Sequence, residues 1–125
     1  MLGLGIDLVD IDDVTASLQR FGDRFTGRVF TPEELAQGRA PRWLACCFAA
    51  KEAALKSFSG AGPSLAGLSL RSLALVAGES GGRPVLRLGE GAAQAAQAAG
   101  LAQLDVEVSV TGHHALAIAV ASFEL

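Results

Sequence analysis

The chain has 125 residues, half of them apolar, and a formal net charge of −3. That is the size of one ordinary domain with enough apolar content for a core, and the mild acidity excludes a general nucleic-acid binder, which would be strongly basic. With six Phe, one Trp and no Tyr, the core must be built mainly from Leu, Val and Ala.

The first element is "MLGLGIDLV". Leu2, Leu4, Ile6 and Leu8 point one way, and Gly3, Gly5, Asp7 and Val9 the other, the alternation of a strand with one core face. Asp10 can cap a helix that carries Asp12 and Asp13 in its first turn and ends near Gly22. "TPEEL" is a second helix start: Thr31 caps, Pro32 takes the first helical position and Glu34 completes a capping box. Gly38 ends that short helix. The main helix is predicted from Pro41 to about Phe58, followed by the glycine-rich connection "SGAGPSLAG". Residues 68–77 and 83–89 form a hairpin around "GESGGRP", and "GEGAAQAAQAAG" favours a short helix. "LDVEVSVTG" and "ALAIAVASF" close the chain as two strands joined at Gly112, His113 and His114. Hairpin-linked strands interleaved with helices predict an α+β domain, an antiparallel sheet packed against a long central helix and shorter helices. No internal repeat or dividing linker is visible, so residues 1–125 are expected to form a single domain.

Cys46 and Cys47, the only cysteines, are neighbours. They offer neither a C-x-x-C metal pair nor a long loop to close, and they suit a reducing compartment. Met1 leads directly into the first strand pattern with no basic leader region. The longest stretch without Asp, Glu, Lys or Arg, 108–123, has 16 residues and two histidines, short of a membrane span. A cytoplasmic protein is expected, with neither nucleic acid nor membrane as partner.

The unusual segment is "FAAKEAALK", residues 48–56. Lys51, Glu52 and Lys56 are the only charges between Trp43 and Phe58, on a helix apolar nearly all round and therefore buried. Buried charges require partners. A Glu52–Lys56 pair one turn apart is one solution. The other is a site in which Glu52 ligates a hard cation and Lys56 neutralises phosphate. Asp7, the lone charge amid the first strand, is either a strand-end polar residue or the second carboxylate of a Mg²⁺ site. Such sites hold the ion through one or two carboxylates plus waters and substrate phosphate. A P-loop reading of "SGAGPSLAG" fails because the G-K-[S/T] ending is missing.

"GLGIDLVDI" followed some forty residues later by "FAAKEAALK" resembles the holo-acyl-carrier-protein synthases, the small 4′-phosphopantetheinyl transferases. The likeness extends through "RFTGRVFTPEEL", "GGRPVL" and "VSVT". It implies transfer of the phosphopantetheine arm of coenzyme A to a serine of apo acyl-carrier protein. Mg²⁺ is the implied cofactor, adenosine 3′,5′-bisphosphate is released, and the enzyme is a homotrimer with sites at subunit interfaces, serving fatty acid biosynthesis. By motif position Asp7 and Glu52 would ligate Mg²⁺, and Glu52 and Lys56 would be catalytic. Lys51 and Lys56 would bind substrate, although Lys51 also suits a core-edge lysine that snorkels out.

Three positions depart from the family pattern. Cys47 stands where an arginine is usual before F-A-A-K-E. Gly112 stands where a histidine is usual, leaving His113 as the nearby imidazole for substrate or as a plain turn residue. Asp13 stands where the first helix usually carries a base for docking an acidic carrier protein. Basic character returns at Arg20, Arg24 and Arg28, which with Phe25 form the expected partner surface if that segment is one helix. The alternative to an active transferase is a catalytically impaired relative that binds coenzyme A or a carrier protein.

Overall fold

The computed structural model describes residues 1–124. Strand β1 (Leu2–Asp10) leads into helices α1 (Ile11–Phe21), α2 (Asp23–Val29), α3 (Pro32–Ala36) and the long α4 (Pro41–Ser57). A short α5 (Pro63–Ala66) and a 3₁₀ turn precede the hairpin β2 (Leu73–Val76) and β3 (Val85–Leu88). Helix α6 (Glu90–Ala98) then leads to β4 (Leu101–Val110) and β5 (His114–Phe123). The strands form an antiparallel three-stranded sheet in the order β1-β5-β4 and a separate two-stranded β2-β3 sheet. This is the expected α+β arrangement, with α4 lying across the inner face of the larger sheet.

The local signals act as their chemistry demands. Asp10 accepts from the Asp12 N–H and starts α1. Thr31 Oγ1 accepts from the Glu34 N–H while Glu34 Oε1 accepts from the Thr31 N–H, closing the capping box of α3. Strand β2 starts later than expected because Leu70–Ser72 coil into the 3₁₀ turn, and β3 is confined to Val85–Leu88.

The inward side of β1 is the glycine side. Leu2, Leu4, Ile6 and Leu8 are all more than half exposed. Gly3 and Gly5 lie against the α4 backbone: a Cβ on either would stand 1.8 Å from the carbonyl oxygen of Ser57 or Ala53. Opposite them, β5 turns Ala115, Ala117, Ala119 and Ala121 inward, and α4 answers with Ala45, Ala49, Ala50, Ala53 and Ala54, all fully buried. Small residues on both surfaces let helix and sheet approach closely, so many weak dispersion contacts replace a few bulky side chains.

One polar knot is enclosed in this core. Lys51 Nζ, fully buried, donates to Glu34 Oε1 at 2.6 Å and to the Val29 carbonyl at 2.5 Å. Glu34 Oε2 accepts from the Leu75 N–H at 2.9 Å, and the Trp43 indole donates to the Glu34 carbonyl. The knot joins α2, α3, α4 and β2. Burial pushes the Lys51 pKa down while Glu34 opposes the shift. Removing one partner of such a pair strands a buried charge. Lys51→Met should therefore cost about 3–5 kcal/mol in urea unfolding, and adding Glu34→Gln to it should recover part of that loss.

Candidate active site

Asp7 occupies the helix-facing side of β1, the next inward position after Gly5. Lys56 and Glu52 stand one turn apart on α4. Lys56 Nζ donates to Asp7 Oδ1 at 2.8 Å and to the Ile6 carbonyl at 3.0 Å. The Asp7 side chain is 16 % exposed and that of Lys56 52 %, so the pair sits at the rim of a cleft rather than in the core. That cleft, about 320 Å³, is lined by Asp7, Val9, Asp10, Asp13, Phe48 and Glu52, among others. The hydrogen bond to Asp7, reinforced by its charge and that of Glu52, raises the Lys56 pKa above the ordinary 10.5.

The structure thus brings Asp7 and Glu52 to one cleft from two elements far apart in sequence, with Lys56 bonded to Asp7 at its edge. Lys56 pairs across to β1 rather than along its helix to Glu52. Two hard carboxylate oxygen donors beside a flexible ammonium suit Mg²⁺, which takes few protein ligands and completes its shell with water and phosphate oxygens. Among the described residues no three His, Cys, Asp or Glu side chains form a metal cluster.

Other expected residues fall elsewhere. Lys51 is sealed in the Glu34 knot, with no exposed surface. It neither snorkels out nor reaches a ligand, which corrects its assignment to substrate binding. The cause is the buried carboxylate of Glu34, seventeen residues away. Cys47 is also fully buried beside that carboxylate. Desolvation, then Glu34, push its thiol pKa up, and its departure from the family pattern affects the core knot, not the cleft. His113 lies in the exposed β4–β5 turn and does not line the cleft. That turn is tied down by the Ile11 N–H donating to the His113 carbonyl and Arg42 donating to the Thr111 carbonyl.

The arginine ladder is broken. Gly22, at φ 52°, ends α1 after Arg20 and restarts the chain as α2, so the three arginines do not share one helix. Arg24 and Arg28 nevertheless line one groove of about 250 Å³ with Ser17, Phe21 and Phe25, and Arg20 stacks on Phe21 at 5.1 Å. Ser17 and Phe25 line the carboxylate cleft as well, which makes groove and cleft neighbours. Phe48, one turn before Glu52 on α4, also lines the cleft.

The cleft between β1 and α4 thus gathers the carboxylates of Asp7, Asp10, Asp13 and Glu52, with the Lys56 ammonium bonded to Asp7 beside it. A family model described as the 4′-phosphopantetheinyl transferase superfamily matches residues 3–120. The holo-[acyl-carrier-protein] synthase of Koribacter versatilis (strain Ellin345) is 40% identical over 121 residues, 94% of each chain. The crystal structure of holo-[acyl-carrier-protein] synthase from Neisseria meningitidis superposes with TM-score 0.83 at 29% identity, covering 96% of this chain and 97% of that one. The Chronobacterium ammoniagenes ACPS-CoA complex superposes with TM-score 0.78 at 27% identity, covering 100% and 99%. The chain belongs to the 4′-phosphopantetheinyl transferase superfamily.

Because Lys56 gains an anionic partner on folding, the sign of its linkage is fixed. Its contribution to stability is full below the unfolded lysine pKa and is lost as pH rises through the raised folded value. Side-chain NMR should find Lys56 titrating above 10.5, and Asp7→Asn should bring that titration down.

Proposed function

We propose that this protein is a single-domain, cytoplasmic, Mg²⁺-dependent holo-[acyl-carrier-protein] synthase that loads apo acyl-carrier protein for fatty acid biosynthesis. The observation that carries the reading is the meeting of Asp7 and Glu52 in one cleft, with Lys56 bonded to Asp7 at its edge. In the reaction, the carrier serine oxygen attacks the coenzyme A phosphorus that bears the pantetheine arm. The bond from that phosphorus to the bridging pyrophosphate oxygen breaks, and adenosine 3′,5′-bisphosphate leaves.

Asp7 and Glu52 would hold Mg²⁺, whose chemistry there is to offset charge on the pyrophosphate oxygens. Lys56, half exposed on a flexible stem, turns from Asp7 to the pyrophosphate and stabilises the charge that builds on the leaving group. Glu52 takes the serine proton at a carboxylate oxygen. The aromatic side of Phe48 and Phe25 shields the cleft from water on the flank nearest the arginine groove.

The carrier protein docks on Arg20, Arg24, Arg28 and Phe25. Their groove adjoins the cleft through Ser17 and Phe25, so an acidic partner seated there has its serine close to Asp7 and Glu52. Asp13 lines the cleft itself and leaves the docking charge to the arginines.

The assembly is a homotrimer. Register sets Leu4 opposite Val120, Ile6 opposite Ile118 and Leu8 opposite Leu116, and all six are 37% exposed or more. Such a continuous apolar sheet face calls for a protein partner, and copies of the same chain supply it by closed symmetry. In a trimer the exposed His113 turn becomes available to an adjoining subunit's coenzyme A.

Incubation with apo acyl-carrier protein, coenzyme A and Mg²⁺ should add one phosphopantetheine to the carrier by intact mass, and Glu52→Gln or Asp7→Asn should lower the rate by about 10²-fold or more. No mass gain across several carrier proteins sinks the proposal. Ile118→Asp should convert the trimer to smaller species in sedimentation velocity, and an unaltered trimer would remove this sheet face from the interface.

A further inference from the structure

The two glycines of β1 carry a consequence for the metal site. A Cβ on Gly5 would stand 1.8 Å from the Ala53 carbonyl oxygen and 2.8 Å from the Ser57 amide nitrogen. Both are backbone atoms of α4 and cannot rotate aside. Even alanine at this position forces strand and helix apart, by about 1.5 Å to regain ordinary contact. The displacement cannot dissipate locally. β1 pairs with β5 in unbroken register from Leu2 to Asp10, and α4 runs unbroken from Pro41 to Ser57. Asp7 is the next inward residue after Gly5, and Glu52 directly precedes Ala53. The contact at Gly5 therefore sets the gap between the two carboxylates.

We infer that Gly5 is a positioning residue: by admitting the α4 backbone it holds Asp7 and Glu52 on closely facing walls, and a wider spacing favours a larger cation. The inference rests on the proposed metal role of those carboxylates. Mg²⁺ demands oxygen at about 2.0–2.1 Å in near-ideal geometry, whereas Ca²⁺ accepts about 2.3–2.6 Å and an irregular shell. A gap wider by more than an ångström lies outside the tolerance of the first and nearer that of the second. Gly3 makes the same clash against the Ser57 carbonyl oxygen, also at 1.8 Å, but more than a turn further along α4 from Glu52. It is the matched control: comparable steric cost, weaker leverage on the carboxylate gap.

The test is calorimetric titration of MgCl₂ and CaCl₂ into the full chain saturated with coenzyme A, without carrier protein, so that no turnover occurs. Gly5→Ala should weaken Mg²⁺ binding about 10-fold or more and raise the Ca²⁺-to-Mg²⁺ affinity ratio, while Gly3→Ala should leave the ratio within about 3-fold of the unaltered chain. A folded Gly5→Ala protein with an unchanged ratio overturns the inference, as does an equal change in Gly3→Ala. Asp7→Glu, which keeps both glycines, serves if Gly5→Ala does not fold. In a gap held rigid, the extra methylene should weaken Mg²⁺ binding about 10-fold, and unchanged affinity would show that the gap is not fixed and overturn the inference. Failure of the unaltered chain to bind Mg²⁺ at all overturns the metal assignment itself, an outcome distinct from an unchanged ratio.

Discussion

The contact on which this structure depends is backbone against backbone: β1 lying on α4 with no side chain between them. Gly3 and Gly5 admit the Ser57 and Ala53 carbonyls, and the alanines of β5 and α4 extend the same closeness across the sheet. Glycine in a strand interior is unfavourable by roughly 0.5–1 kcal/mol relative to alanine, so its use twice in a row on one face requires a return. Here the return is geometric. A strand and a helix this close let a short aspartate on one meet a lysine on the other at 2.8 Å. With bulky residues between, Asp7 would fall short of Lys56 and the strand and helix walls of the cleft would stand further apart.

The same choice explains the exposed leucines. Alternation along β1 defines two faces but not which is inside. Apolarity favours Leu2, Leu4, Ile6 and Leu8 for the core, and the close approach of α4 requires the glycine face. Space decides, and the apolar side chains are left on the outer surface beside Leu116, Ile118 and Val120. A single chain thus completes its core with small residues and leaves its large ones on the outer surface. Interior and exposed apolar face are two consequences of one packing decision.

Element order, the capping box of α3, the hairpin and the central helix were legible because each is governed by neighbours in sequence. Asp7, Glu52 and Lys56 were legible as a set because charges on an apolar strand and helix stand out and because their spacing matches a family. The partner of Lys51 was not. Nothing local distinguishes a lysine that meets Glu34 across the fold from one that reaches solvent or a ligand, and Glu34 already had a local explanation as a helix cap. It performs both tasks: Oε1 serves the cap and the lysine, and Oε2 the β2 backbone. The arginine ladder failed for the opposite reason. Spacing by four implied one helix face, but Gly22 turned the backbone between Arg20 and Arg24.

That break shapes the surface beside the site. Had α1 continued through Arg28, its arginines would have formed a straight stripe. The turn at Gly22 instead folds α2 back so that Phe21 and Phe25, from different helices, face one groove with Arg24 and Arg28. Apolar anchors flanked by cations suit an amphipathic acidic surface better than a stripe of charge does, because the aromatics hold what the charges attract. Phe25 also packs edge-on against Phe30 at 5.6 Å, and Phe30 lies 5.3 Å from the buried Lys51 ammonium. The groove is therefore braced from behind by the knot that ties α4 to α2, α3 and β2. Groove, knot and carboxylates form one continuous framework.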